Sequence, residues 1–272
     1  MTKENIIAQI KKIYDEATDN VLPETEGEKI FDMPIVGFGA AEDALFSDFK
    51  KMEAIGPWYK TPVEWLEGAR TVVELFFPFS EVVKESNRKV KEGVSKNWLY
   101  ARIEGQSFIA NYMQKLKAYF NANDINAIVP QADSGFKAVV KGKGMAEYPE
   151  LPETVFSSNW SERHAAFVCG LGTFGLSKGV ITKKGMAGRF GGIVIDTPIE
   201  ADEREYSELY EYCNRCGACI KRCPVGAISL ENGKNHNICE ELLAKSKVTY
   251  APRYGCGLCQ TGTPCESGRP KQ

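Results

Sequence analysis

Apolar positions along the first 200 residues switch between a helical and a strand period. In residues 3–17, Ile6, Ile7, Ile10, Ile13 and Tyr14 share one face, the spacing of an amphipathic helix packed on a body. After a turn-rich stretch at Leu22-Pro23, Pro34-Ile-Val-Gly-Phe-Gly39 is a short apolar run bounded by glycine, which predicts a buried strand. Between Arg70 and Phe79 the run Thr-Val-Val-Glu-Leu-Phe-Phe-Pro-Phe is β-branched and aromatic, so a second buried strand ends near Pro78. A basic, irregular segment leads from there to Tyr100. From Ile103 to Phe120, Ile109, Tyr112, Met113, Leu116 and Phe120 recur at helical spacing, and Asn121 to Asp124 end that helix. Ile125 to Pro130 is the next strand candidate. Residues 131–160 carry Gly135, Gly142, Gly144, Pro149 and Pro152, which predicts a long surface excursion. Helical character resumes over Ser161 to Val168, Gly170-Leu-Gly-Thr-Phe-Gly175 forms a glycine loop, and Val180 to Ile195 reads as a hairpin turning at Lys184-Gly185. Strands interleaved with helices predict an α/β or α+β body over residues 1–200, followed by a smaller domain over residues 201–272.

Composition changes the picture at one end of the chain. The 272 residues fit one large and one small domain, and a net charge of −2 offers no general attraction to a polyanion. No run of 18 apolar residues occurs, and Met1 to Asn20 is charged and amphipathic, unlike a secretory signal, so a cytoplasmic protein without membrane contact is expected. In that reducing compartment nine cysteines are not expected to form disulfides. Eight of them fall in the last quarter of the chain, which points to metal. Cys169 stands apart and reads as a small core residue under the glycine loop.

Cys213-Asn-Arg-Cys216-Gly-Ala-Cys219-Ile-Lys-Arg-Cys223-Pro224 has the C-x2-C-x2-C-x3-C-P spacing of bacterial ferredoxins, in which three thiolates grip one [4Fe-4S] cube and the fourth reaches a neighbouring cube. Cys256-Gly-Leu-Cys259 and Cys265 form a second group, with Cys239 between. The two-cluster rule then assigns Cys213, Cys216, Cys219 and Cys265 to one cube, and Cys223, Cys239, Cys256 and Cys259 to the other. Zinc more often uses two separated C-x2-C pairs, so this spacing favours iron and sulfur. A pair of cubes in so small a domain points to electron transfer, since a structural role needs only one.

The cysteine set, preceded by Glu162-Arg163-His-Ala-Ala, the Gly170 to Gly175 loop and the 180–195 hairpin, resembles epoxyqueuosine reductases and, more distantly, cobalamin-dependent reductive dehalogenases. Weaker echoes lie at Val36-Gly37-Phe-Gly39, Gly68-Ala-Arg70-Thr-Val-Val and Leu99-Tyr100-Ala101-Arg102. The resemblance implies a nitroreductase-like domain that holds cobalamin with its lower base detached beside one cube. It implies electrons passing from the clusters to low-valent cobalt and on to a small organic substrate, with reduced ferredoxin or flavodoxin as the donor. Neither histidine, His164 or His236, lies in a D-x-H-x-x-G pattern, so such a cobalamin would lack a histidine axial ligand. An aspartate proposed as proton donor in epoxyqueuosine reductases corresponds to Phe156 here, the Gly-Lys-Asn after the glycine loop is Gly175-Leu176-Ser177, and the last ligand spacing is Cys259-x5-Cys265 rather than x3. The sequence ends at Gln272, where tRNA-modifying members continue into helical repeats, so tRNA is not the expected substrate.

Candidate chemistry outside the cysteines is thinner. Asp133 is a counterpart of the missing donor if residues 136–158 are an insertion, and a turn residue otherwise. Tyr100 is either a proton donor to a reduced substrate or a buried structural tyrosine. Arg163 matches a family active-site arginine that polarises a substrate or holds an anion, against a surface salt bridge. Gly170, Leu171, Gly172, Thr173, Phe174 and Gly175 match the dinucleotide fingerprint in letters, but follow a helix rather than a strand. They form either a cradle for a cofactor tail or a helix C-cap turn. Basic stretches at Lys89 to Lys96 and Lys137 to Lys143 are solvated loops or docking sites for an acidic electron donor. Trp58, Trp65, Trp98 and Trp160 read as packing. The rival function is a ferredoxin-type carrier, or a reductive activator of a partner corrinoid enzyme, with no substrate of its own.

Overall fold

The computed structural model describes residues 1–139 and 157–271. Helix α1 (Lys3–Asp15) opens on a capping box in which the Thr2 hydroxyl and the Asn5 side chain bond each other's backbone N–H groups, and it buries Ile6, Ile10, Ile13 and Tyr14. Strand β1 (Ile35–Ala40), the short helices α2 (Ala44–Asp48) and α3 (Pro62–Trp65), and strand β2 (Thr71–Pro78) follow. Next come α4 (Glu81–Arg88), the long α5 (Lys96–Asn121), β3 (Ala127–Ile128), and the paired β4 (Ala138–Val139) and β5 (Ser157–Ser158). Helix α6 (Glu162–Val168), strands β6 (Gly172–Phe174) and β7 (Val180–Thr182), and β8 (Gly188–Ile195) complete the body.

The main sheet runs β1-β2-β8-β3 with every pair antiparallel, so the body is an α+β arrangement of mixed helices and strands. Strand β2 is buried along its whole length, and its alternation decides what each face touches. Val73, Leu75 and Phe77 pack with α1 and α5, joining Phe31, Phe108 and Tyr112 in the larger core. Val72 and Phe76 face the other way, toward Ala165, Ala166 and Val168 of α6. Glu74 lies on that same face and is fully buried.

Three expectations need correction. The segment after Phe79 is helical: Glu81–Arg88 forms α4, and α5 begins at Lys96 rather than near Ile103. Residues 180–195 turn at Thr182–Gly185, where the two residues exchange N–H···O bonds of 3.0 and 2.9 Å, yet the flanking strands part company. Strand β7 pairs with β6, whereas the longer β8 crosses to the sheet centre between β2 and β3. The glycine loop itself contains β6. Of the predicted long excursion, residues 140–156 lie outside the described residues, as do Phe156 and the Lys141 to Lys143 part of the basic stretch; its flanks are pinned by the β4–β5 pairing of Ala138 with Ser158.

Beyond residue 200 the chain stays bound to the body. The Asp202 N–H donates to the Phe38 carbonyl at 2.8 Å, Tyr206 Oη donates to the Phe167 carbonyl at 2.6 Å, and the Tyr212 N–H donates to Thr173 Oγ1 at 2.9 Å. Helix α7 (Ala218–Arg222), strands β9 (Ile228–Ser229) and β10 (Gly233–Lys234), helix α8 (His236–Thr249) and a 3-10 turn at Leu258–Gln260 then carry the cysteine loops. Among the described residues no helix is long and apolar enough to cross a membrane.

Candidate functional site

None of the nine cysteines forms a disulfide; Cys169 is buried and Cys216 is exposed. Helix α7 places Cys219 between Cys216 and Cys223, α8 carries Cys239 in its first turn, and the 3-10 turn presents Cys259. Gly257 within Cys256-Gly-Leu-Cys259 has φ +69°, and an added Cβ would meet the Trp98 ring at 2.0 Å, so only glycine lets this loop turn there. Backbone N–H groups point at the sulfurs, that of Ala227 reaching Cys223 Sγ at 3.2 Å.

The cysteines rim two hollows. Cys213, Cys216, Cys219 and Cys265 line one of about 20 Å³, together with Leu176 and Met186. Cys223, Cys239, Cys256 and Cys259 line another of about 140 Å³. Among the described residues no three His, Cys, Asp or Glu side chains converge as a single ion requires. Burial and neighbouring thiols push Cys219 and Cys256 up to about 11, and burial also raises Cys259 and Cys265. These thiols are protonated at neutral pH without metal, so loading releases protons.

The loops are held from outside by α4. Buried Asn87 donates from Nδ2 to the Cys256 carbonyl at 3.0 Å and to Thr261 Oγ1 at 3.2 Å. Arg222, at the end of α7, donates to the Thr261 and Asn87 carbonyls, and Arg88 pairs with Glu266.

The second hollow opens onto a cleft. A cavity of about 370 Å³ shares Cys239, Arg102, Arg189, Lys234 and Gln260 with it. A further cavity of about 520 Å³, with Phe49, Ile55 and Phe174 among its apolar walls, adjoins the first through Ser161, Arg163 and His236. Arg163, Arg102 and Arg189 form no salt bridge among the described residues; Arg163 donates to the Lys178 carbonyl at 2.6 Å, and Arg189 donates from Nε to Gln106 Oε1 at 2.9 Å. Burial pulls Arg189 down to about 10, with Arg102 beside it adding to the shift. Burial lowers His164 to about 3 and His236 to about 4, so both imidazoles are neutral at pH 7.

A 4Fe-4S binding domain model matches residues 209–229, the segment with Cys213, Cys216, Cys219 and Cys223. Epoxyqueuosine reductase of Staphylococcus aureus (strain NCTC 8325 / PS 47) is 29% identical over 130 residues, which are 44% of this chain and 33% of that protein. An epoxyqueuosine reductase solved with an epoxyqueuosine-modified tRNA-Tyr stem loop superposes at a TM-score of 0.55 and 17% identity, over 99% of this chain and 66% of that one. A catabolic reductive dehalogenase superposes at 0.54 and 15% identity, over 97% of this chain and 37% of that one. The fold is that of epoxyqueuosine reductases and reductive dehalogenases, and it carries a 4Fe-4S binding domain. The matches span about a third to two thirds of those relatives' lengths.

Within this epoxyqueuosine reductase-like fold the expected site residues separate. Arg163 lines both parts of the cleft. Asp133 lines none of the cavities described above; its Oδ1 accepts the Gly135 N–H at 2.7 Å, the bond of a turn residue. Tyr100 likewise stays clear of them, its ring buried under Arg253 and its hydroxyl donating to Glu24. Gly170 caps α6 at φ +77° against Glu203, and Gly172 presses on the Ile181 carbonyl, so these glycines approach protein. Leu171 and Thr173 are buried with them; Phe174 reaches the larger cavity, and Gly175 the first cysteine hollow. Cys169 packs in the core beside Val72 and Trp160.

Arg163, whose guanidinium has no carboxylate partner among the described residues, lies where the two cavities meet, and Cys239 brings the second hollow to the wall of the smaller one. The sequence reading missed Glu74, a lone acidic residue in an otherwise apolar strand, and the cationic set Arg102, Arg189 and Lys234, which comes from three separate elements.

Proposed function

We propose that this chain is an iron–sulfur oxidoreductase in which each cysteine quartet holds one [4Fe-4S] cluster and the cleft beside the second quartet binds the molecule to be reduced. The observation that carries this reading is the position of Cys239, which lines both the second hollow and the cleft. Electrons from a reduced ferredoxin or flavodoxin enter at the first quartet, where Cys216 is exposed, and leave through the second. A carrier with no substrate needs the exposed quartet but has no use for a cleft behind the other one.

Within the cleft, Arg163 holds an anionic group, either of a small organic substrate or of a cofactor's phosphate. Arg102, Arg189 and Lys234, bordering the cluster hollow, balance the negative charge of the cluster and its thiolates. The apolar walls from Phe49, Ile55 and Phe174 exclude water from the wider part. When bound, cobalamin would supply a cobalt centre that takes electrons one at a time and reduces an organic molecule. Arg163, Ser161 and His236, which line both cavities, would hold it.

The test is anaerobic titration of the iron-loaded protein with base-off cobalamin, followed by its visible spectrum. Capture of one equivalent, weakened in Arg163→Gln, supports the reading. An unchanged spectrum at excess cobalamin removes that cofactor and leaves direct reduction of the substrate from the second cluster.

A further inference from the structure

Strand β2 carries one charged side chain in its apolar run, and that side chain is not at an end or an edge. Glu74 lies at the strand's centre, pairs across the sheet with Gly37 and Gly192, and is fully buried. On the face it shares with α6 it meets Glu162, also buried, from the helix's first turn. A Cβ at Gly192 would lie 2.3 Å from Glu74 Oε2 and 2.6 Å from Glu162 Oε2, so the glycine leaves the space that both carboxyls fill. Two buried carboxylates without a cation repel each other and lose hydration, which is unaffordable unless a proton lies between them. No salt bridge among the described residues reaches either one. Both Glu74 oxygens and Glu162 Oε1 lack any other hydrogen-bond partner, whereas Glu162 Oε2 accepts the Trp160 indole N–H at 2.9 Å.

We infer that Glu74 and Glu162 share one proton and that the pair delivers it into the cleft during reduction, Glu162 forming part of the cleft wall and Glu74 standing behind it. This rests on the reductase reading of the cleft. Glu162, with the Trp160 N–H and the Gly192 backbone as partners, keeps the charge; Glu74 keeps the proton, its acidity suppressed by burial and by Glu162. The remaining titratable neighbours are Tyr59 and Cys169, both buried and both raised by burial, so neither is ionised at neutral pH. Tyr59 Oη has no partner of its own, and its ring stacks on Trp160 at 6.1 Å.

In the step, Glu74 passes the single shared proton to Glu162, which hands it on to a substrate atom that has received an electron pair from the iron–sulfur path. The pair is left with two negative charges and no proton. That dianion is unstable in a buried site, so it recovers a proton from water entering the cleft.

Infrared spectroscopy of the purified protein reads the shared proton directly. At neutral pH the wild type should show the C=O band of a protonated carboxylic acid, shifted on transfer to D2O; Glu74→Gln should lose it, and Glu162→Gln should move it. No such band, a band unaffected by either substitution, or a band that D2O leaves in place for hours would each overturn the proposal. The Glu162 substitution lies at a helix end and guards against a strand-centre variant that does not fold. With a reducible substrate, Glu162→Gln should cut turnover about 100-fold while the clusters' electron paramagnetic resonance signals stay as they were; unchanged turnover would refute delivery. The infrared band does not depend on cobalamin capture, so a failed cofactor titration and a failed proton pair give different results.

Discussion

Arg163 and His164, neighbours in α6, both border the wider cavity, but only Arg163 also reaches the one beside the second quartet. The His164 ring lies between Phe49 and Phe174 at centroid distances of 4.8 and 5.0 Å, its Nδ1 on Ser161 Oγ at 2.8 Å. Arg163→Gln should weaken anion or cofactor capture about 10-fold or more, read from the titration midpoint. The folded His164 titrates near 3 and the unfolded ring near 6.5, so the unfolded state binds the extra proton between those values. Stability is therefore full above about pH 6.5 and falls by about 1.4 kcal/mol per unit as pH drops below it. His164→Phe, which keeps the aromatic packing, should flatten that fall in denaturant titrations at pH 7 and 5; equal slopes in both proteins would show that another group dominates. At this scale the sequence was readable where residue type alone demands a chemistry, as with the cysteines. Asp133 and Tyr100 were ambiguous because a carboxylate or phenol does the same local bonding in a turn, a core or a site, and only the fold says which. Glu74 was the opposite case: an acid between Val73 and Leu75 in a strand with both faces covered is itself a signal of a buried proton.

Helix α4 shows what periodicity does not catch. Its eight residues, Glu-Val-Val-Lys-Glu-Ser-Asn-Arg, bury only Val83, Lys84 and Asn87, too short and too polar a face to stand out. Yet this helix clamps the cysteine loops through Asn87 and Arg88. Asn87→Ala leaves the Cys256 carbonyl and Thr261 without those bonds, at a cost of about 1–3 kcal/mol. The expected outcome is iron loss on mild heating before the body unfolds, seen as bleaching of the visible absorption ahead of the far-ultraviolet transition. Coincident transitions would mean that α4 does not hold the loops. The 180–195 segment illustrates a second limit. Its turn was legible from Lys184-Gly185, but strand partners are chosen by burial: Ile193, Val194 and Ile195 are fully buried between β2 and β3, a place that β7 does not fill.

Over the whole molecule, charge is distributed unevenly between the two quartets. Among the described residues no charged side chain lines the hollow of Cys213, Cys216, Cys219 and Cys265, while Arg102, Arg189 and Lys234 border that of Cys223, Cys239, Cys256 and Cys259. Cationic neighbours favour the reduced, more negative cluster, so the second cluster should have the higher potential and electrons should run toward the cleft. Arg189→Gln should lower the potential of that cluster alone in a redox titration; equal shifts in both signals, or none, would contradict this. The cluster spacing was legible in the chain because thiolate ligation leaves a fixed linear pattern. The cleft was not, since its walls come from α5, α6, β8, β10 and α8, and no linear pattern announces their meeting. Everything functional depends on the quartets holding iron. Iron and acid-labile sulfide should therefore be counted in protein purified without oxygen, with reduced-state electron paramagnetic resonance on the same sample. The account predicts close to eight of each per chain, from two cubes of four, and two interacting signals; colourless protein, or zinc in place of iron, would contradict it.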